Sequence, residues 1–360
     1  MSAALQSLVQ CGTKLYLDSV HPDEVDKNLA WGAVGATSNP AIISAIVDQG
    51  GMNDVIETLL NDPDQPYDDE AIAWELTDRL VRDAQKKFQP IHRSTGGNAG
   101  WVSFELEPLL EDPEGKSGDG TAMSDADRTA AYIELGKRWA AGHTNRMIKV
   151  PATEAGIAAL EELAAAGITL NVTLIFTADQ YRRARNAIWR GAQRLASTDR
   201  FKSVYSIFVS RIDVYTQQHL PNLSPAAQGM VGILNAKRIW AENRKFWSDK
   251  GLRLDQELIF ASTGVKDPSL PAWKYVEALA GSDIQTNPPE TNEAIATSDK
   301  TFSPTLEQMP SQTVQDEIDA AVDVDHLHKT LMSEGIAKFA KPQRALLEVV
   351  RKQRQAISAS

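Results

Sequence analysis

Eight short, largely apolar segments recur along the 360 residues, nearly all separated by stretches with helical spacing. They fall at 14–18, 33–37, 101–106, 147–151, 168–176, 203–209, 258–262 and 282–286. Near-continuous apolar strands alternating with helices fit a parallel sheet whose faces are covered. Eight such units predict a (β/α)8 TIM barrel, here with additional peripheral helices. A doubly wound open sheet is the alternative, but no Gly-x-Gly-x-x-Gly follows the first strand.

The helices between the strands carry their own signals. Pro40 suits a first helical turn, where its missing N–H costs nothing, and Ile42, Ile43, Ile46 and Val47 follow on one face. Ile72, Leu76, Leu80 and Phe88 mark a helix over about 69–88. Thr153 can cap a helix that buries Ile157, Leu160 and Leu163 and stops at Gly167. Residues 225–248 read as another. Late helices near 290–297, 313–321 and 325–334, and one from Gln343, make the end of the chain (about 313–360) a helical extension of a single barrel domain. Residues 107–126 are rich in Pro, Gly and acidic groups and read as a flexible surface insertion. They hold too few apolar contact residues for a lid. The turn Thr95-Gly96-Gly97-Asn98-Ala99-Gly100 resembles a phosphate loop only loosely, because it precedes a strand.

Charge narrows the function. A net charge of −11 argues against a nucleic-acid partner, yet permits a local basic pocket for a small phosphate. The single cysteine, Cys11, can form no internal disulfide, and no Cys/His cluster has zinc spacing. No metal and no cofactor are expected. His326 and His328 read as a solvated helix start. No signal peptide and no apolar run of membrane-spanning length is visible, so a cytoplasmic protein without a membrane partner is expected. Trp189, Trp240, Trp247 and Trp273 fall on outer helices. One of them could mark a homodimer interface, although packing between barrel and helices is the commoner fate of such residues.

In a barrel of this kind the active site lies at the C-terminal ends of the strands. Those ends carry Asp18, Asn39, Glu105, Lys149, Asn171 with Thr173, Ser206 with Arg211, and Ser262 with Lys266. Each has an ordinary structural reading: Asp18 or Asn39 as a cap, Glu105 as an ion-pair partner of Lys149, Thr173 as a β-branched strand residue, Arg211 and Lys266 as rim charges. Lys149 is the most pointed of them. It stands in the apolar run Met147-Ile148-Lys149-Val150-Pro151. Burial favours the neutral form of an amine, and a neutral amine attacks a carbonyl to form a Schiff base. A strand-end lysine snorkelling to water is the simpler alternative for that stretch alone.

Several blocks are similar to those of the transaldolase family. They are Leu15-Tyr16-Leu17-Asp18, Thr37-Ser38-Asn39-Pro40-Ala41-Ile42, Val102-Ser103-Phe104-Glu105 and Met147-Ile148-Lys149-Val150-Pro151-Ala152-Thr153. Then come the run from Gly167 through Asn171 and Thr173 to Phe176, Phe208-Val209-Ser210-Arg211-Ile212-Asp213, and Ala261-Ser262-Thr263-Gly264-Val265-Lys266. Thr286-Asn287-Pro288 and Glu334-Gly335-Ile336-Ala337-Lys338-Phe339 complete the set, in the family's order. The resemblance implies a barrel that moves a dihydroxyacetone unit from sedoheptulose 7-phosphate to glyceraldehyde 3-phosphate, giving erythrose 4-phosphate and fructose 6-phosphate. This is a step of the non-oxidative pentose phosphate pathway. It implies Lys149 as the Schiff-base nucleophile, Glu105 as proton shuttle through a water held by Thr173, and Asp18 as the base for carbon–carbon cleavage. Asn39, Asn171 and Ser206 would hold the dihydroxyacetone hydroxyls; Arg211, Ser262 and Lys266 would hold the phosphate. Ser210 departs from the family, where glycine is usual. A class I aldolase acting on fructose 6-phosphate, or a non-catalytic sugar-phosphate-binding homologue, are the competing expectations.

Overall fold

A computed structural model describes residues 2–62, 67–112 and 123–358. Its centre is a parallel sheet of seven strands: β1 Lys14–Leu17, β2 Val102–Glu105, β3 Arg146–Pro151, β4 Leu170–Ile175, β5 Ser203–Phe208, β6 Glu257–Ala261 and β7 Ile284–Asn287. The order is β1-β7-β6-β5-β4-β3-β2, so each strand lies beside its neighbour in sequence and the sheet curls round on itself. The remaining expected strand, 33–37, is not a regular strand. It is instead the stave that closes the barrel. Val34 N donates to Leu15 O at 2.8 Å, Thr37 N to Leu17 O at 2.8 Å, and Ala36 N to Trp101 O at 3.0 Å. Gly35 explains the irregularity: a Cβ there would lie 2.2 Å from the Tyr16 ring, which fills the barrel at this level. The fold is therefore a (β/α)8 barrel.

Strand alternation sorts the side chains into two layers. Leu15, Phe104, Ile148, Val150, Tyr205, Ile207 and Phe260 point outward into the core shared with the helices. Tyr16, Met147, Val204, Phe208, Ile259 and Ile284 point inward. Each apolar side chain so buried contributes ~1.5–3 kcal/mol of transfer free energy. The same alternation sends Lys149, two residues after Met147, into the barrel. Caps end the helices as their sequences suggest: Asn39 Oδ1 accepts from Ile42 N, Thr153 Oγ1 from Gly156 N, and Ser124 and Thr177 each open a capping box.

Two expectations about the periphery change. The segments expected as separate helices near 325–334 and beyond Gln343 are one helix, Val324–Ser358, which runs through Pro342. It crosses the C-terminal mouth of the barrel and sets Phe339 against the site. The expected insertion at 107–126 is ordered at its start. Pro108–Glu111 is a 3-10 turn, the Glu111 carboxylate accepts from the Thr153 and Tyr132 hydroxyls, and Asp112 pairs with Arg344. Residues 113–122 lie outside the described residues. The outer tryptophans pack among the helices: Trp189 meets Trp247 edge to face at 5.7 Å, and Trp240 Nε1 donates to Ser282 Oγ at 3.0 Å. Among the described residues the exposed large hydrophobics are Met309 and Val324. No described helix is long and apolar enough to cross a membrane.

Candidate active site

A cavity of about 490 Å³ opens at the C-terminal ends of the strands. Eight of the ten residues singled out in the sequence line it: Asp18, Asn39, Lys149, Thr173, Ser206, Arg211, Ser262 and Lys266. Glu105 and Asn171 do not reach its wall. They stand behind it, and the register explains why. Glu105 lies opposite Lys149, and Lys149 opposite Asn171, on adjacent strands.

Lys149 is 5% exposed, so it does not snorkel. Its Nζ donates to Glu105 Oε2 at 2.9 Å and to Ser38 O at 3.1 Å, and lies 5.7 Å from the Phe339 ring centre. Burial pushes the Glu105 carboxyl above its ordinary value; the Lys149 charge and hydrogen bond pull it back down. Burial likewise raises Asp18, against the opposing pull of Lys149 and of the Thr37 hydroxyl. Two carboxyls that lean toward protonation therefore flank one amine, an arrangement suited to moving protons to and from a bound carbonyl.

Asp18 Oδ1 accepts from Thr37 Oγ1 at 2.7 Å, and Thr37 Oγ1 is 2.7 Å from Thr286 Oγ1. This chain of hydroxyls fixes the carboxylate and leaves its second oxygen for a ligand. Asn39 serves as cap and as wall at once: its Oδ1 is taken by Ile42 N, which leaves the amide N–H groups for the cavity. Asn171 is fully buried, donates to Ser103 Oγ at 2.9 Å and accepts from Ser206 Oγ at 2.8 Å. It reaches the cavity only through Ser206.

Thr173 Oγ1 is buried on the cavity wall with no hydrogen-bond partner. A buried hydroxyl without a partner costs about 1–3 kcal/mol, so a polar guest belongs there. The strand is broken immediately after it: the β4–β5 register slips between Val172 and Ile175, and Leu174 has φ 57°. Such bulges re-aim side chains and collect at functional sites.

Arg211 also lines the cavity, with its cation 5.0 Å from the Phe208 ring and 5.8 Å from that of Phe339. One of its terminal nitrogens, Nη1, is buried without a partner. Burial lowers its pKa from the ordinary value, with Glu334 opposing. Ser210, the departure from the family pattern, ties the first turn of the helix Ser210–His219, which carries Arg211, to Ser262 through a 2.8 Å contact between the two hydroxyls. Lys266 is exposed on the rim. Side chains without an assigned role in the sequence also line the site: Phe339, Lys338 and Glu334 from the last helix, Phe208, Thr37 and Thr286. The late Glu-Gly-Ile-Ala-Lys-Phe block was a family signal, but no local pattern showed that it folds back across the mouth.

Fold and site together define a parallel α/β barrel with a buried amine and two carboxyls at the C-terminal ends of its strands. More narrowly, the chain belongs to the transaldolase/fructose-6-phosphate aldolase family, which residues 15–350 match. It is similar to Transaldolase 2 of Streptomyces avermitilis, with 31% identity across 100% of both chains. It is also similar to the transaldolase of Saccharopolyspora erythraea, at 32% identity over 97% of each chain. The transaldolase of Neisseria meningitidis serogroup A is 33% identical over 95% of this chain and 98% of its own.

Proposed function

We propose that the chain is a transaldolase that carries a dihydroxyacetone unit between sugar phosphates as a Schiff base on Lys149. The observation that carries this reading is Lys149 on the wall of a mouth that also holds Asp18, Thr173 and Arg211, paired with the buried Glu105 behind that wall. Lys149 gives its proton to Glu105 and attacks the C2 carbonyl of sedoheptulose 7-phosphate. The carbinolamine loses water as Glu105, acting through a water on the Thr173 hydroxyl, returns a proton to the departing oxygen. Asp18 takes the C4 hydroxyl proton as the C3–C4 bond breaks. The electron pair of that bond moves into the iminium, which becomes an enamine, and erythrose 4-phosphate leaves. The enamine attacks glyceraldehyde 3-phosphate, Asp18 returns its proton, and hydrolysis of the iminium releases fructose 6-phosphate. Asn39 and Ser206 hold the dihydroxyacetone hydroxyls, with Asn171 locking Ser206. Arg211, Ser262 and Lys266 hold the phosphate, bidentate at the guanidinium.

Borohydride added with fructose 6-phosphate is expected to leave one covalent adduct, mapped by peptide mass spectrometry to Lys149. An adduct elsewhere, or none, sinks the mechanism. A coupled assay with and without erythrose 4-phosphate separates transferase from aldolase: turnover should depend on the acceptor, and equal release of dihydroxyacetone without it would favour the aldolase. Replacing Glu105 with glutamine removes the proton shuttle while keeping the shape, so the trapping rate should fall by ~10²–10⁴. The concentration dependence should change little. An unchanged trapping rate removes Glu105 from this role.

A further inference from the structure

A second cavity, of about 860 Å³, opens at the opposite end of the barrel, where the strands begin. Arg93, Lys137, Arg200 and Arg253 line it, together with Gly96 and Gly97 of the glycine-rich turn, and among the described residues no Asp or Glu does. This is unexpected in a chain of net charge −11. Many arginines elsewhere find carboxylates: Arg183 pairs with Glu154, Arg190 with Glu161, and Arg238 with Asp319. Even the buried Arg146 at this cavity is neutralised by Asp78 at 2.6 Å. Among the described residues, Arg93, Arg200 and Arg253 have no ion pair and no side-chain hydrogen bond.

Helix dipoles explain part of the charge. The helices Asp69–Ser94 and Asp125–Ala140 end here, and cations in their last turns, Arg93 and Lys137 among them, complement those ends. Arg200 and Arg253 belong to loops and have no such role. Their grouping is also unfavourable without a counter-ion, because like charges in one concave site repel. Two further observations point to a guest. His92 Nε2 is buried without a hydrogen-bond partner in the same cavity. Burial, with the charges of Arg200 and Arg93, holds that imidazole below its ordinary pKa. And Gly96 lies under Arg253: a Cβ there would come within 3.1 Å of the guanidinium, so the glycine keeps open the space between turn and cation.

We propose that this cavity binds a small molecule carrying two or more phosphate groups. Guanidinium forks match phosphate oxygens, and the volume exceeds what a single phosphate fills. The turn at 95–100 is then a phosphate-facing loop after all, although it precedes β2 instead of following a strand.

The test is isothermal titration of the full chain with inorganic triphosphate at low salt, repeated with ATP and with single phosphate. Triphosphate should bind at one site per chain, more tightly than single phosphate, and weaken steeply as salt rises. If ATP gains over triphosphate, the natural ligand is a nucleotide; if not, it is a bare or non-aromatic polyphosphate. The doubly substituted Arg200→Ala/Arg253→Ala protein should bind about tenfold more weakly or worse. Both residues are exposed and their removal relieves repulsion, so its thermal unfolding temperature should not fall. Arg211→Ala, at the far mouth, should bind as the parent does. In proton NMR the His92 imidazole should titrate at higher pH when triphosphate is bound. Loss of binding in Arg211→Ala but not in the double variant, or no binding and no His92 shift at millimolar triphosphate, overturns the proposal.

Discussion

Replacing Lys149 with methionine is expected to lower kcat by roughly 10⁵–10⁶ and to abolish borohydride trapping, because the nucleophile of a covalent mechanism is gone. Methionine keeps most of the volume, so packing against Phe339 survives. The substitution also strips Glu105 of its partner at 2.9 Å. Breaking a buried pair typically costs about 3–5 kcal/mol when the remaining charge stays ionised. Here the remaining group can escape by taking a proton. Burial already holds Glu105 above its ordinary value, and removing Lys149 removes the largest influence pulling it down. A carboxyl raised in the folded state contributes stability that is full below the unfolded value of about 4.3 and is lost as pH rises through the folded value. The variant should therefore unfold at nearly the parental temperature in acid and fall behind it as pH rises through the raised Glu105 value. Thermal unfolding across that range checks this. A variant that keeps activity within a hundredfold of the parent, or whose deficit in stability grows toward acid, contradicts the assignment.

How much of this site could be read from the chain depends on range. Alternation along a strand is local. Hence Lys149, Glu105 and Asn171 were legible as residues of strand ends, and pairing places them side by side in the barrel. Period-2 spacing does not say which face is inward, and here the interior took Met147, Lys149 and Ser206 while Ile148 and Tyr205 took the helix side. The stave at 33–37 was legible as apolar, but its irregularity depends on a ring 19 residues away, since Tyr16 occupies the space a side chain at Gly35 would need. Phe339 and Lys338 were legible as family residues without a place, because only the path of a long helix across the mouth brings them to Arg211 and Lys149. Pro342 falls between the two segments expected as separate helices. A proline inside a helix removes one hydrogen bond and costs about 3 kcal/mol, so it reads as a boundary. Packing of the helix against the rest of the barrel can offset that cost. The cationic cavity was invisible for the same reason as Phe339: Arg93, Arg200 and Arg253 are far apart in sequence and meet only where strands begin.

Replacing Asp18 with asparagine should separate carbon–carbon cleavage from Schiff-base formation. Asparagine has the same shape, and its carbonyl can still accept the Thr37 hydroxyl that holds Asp18 at 2.7 Å, itself anchored to Thr286. What it lacks is a base for the C4 hydroxyl proton. Turnover should fall by ~10²–10⁴, the span over which one positioned acid–base group contributes. Lys149 and Glu105 are untouched, so borohydride trapping with fructose 6-phosphate should persist, and its yield should rise as uncleaved iminium accumulates. The pH profile gives a second readout. Asp18 must be ionised to accept the proton, and burial, opposed by Lys149 and Thr37, holds it above the ordinary carboxylate value. The parental rate should therefore drop on the acid side at a pH higher than about 3.9, the unperturbed value for aspartate, and that limb should vanish in the variant. If trapping is lost together with turnover, Asp18 acts before cleavage and its role here is wrong. If turnover survives with its acid limb intact, another group is the base.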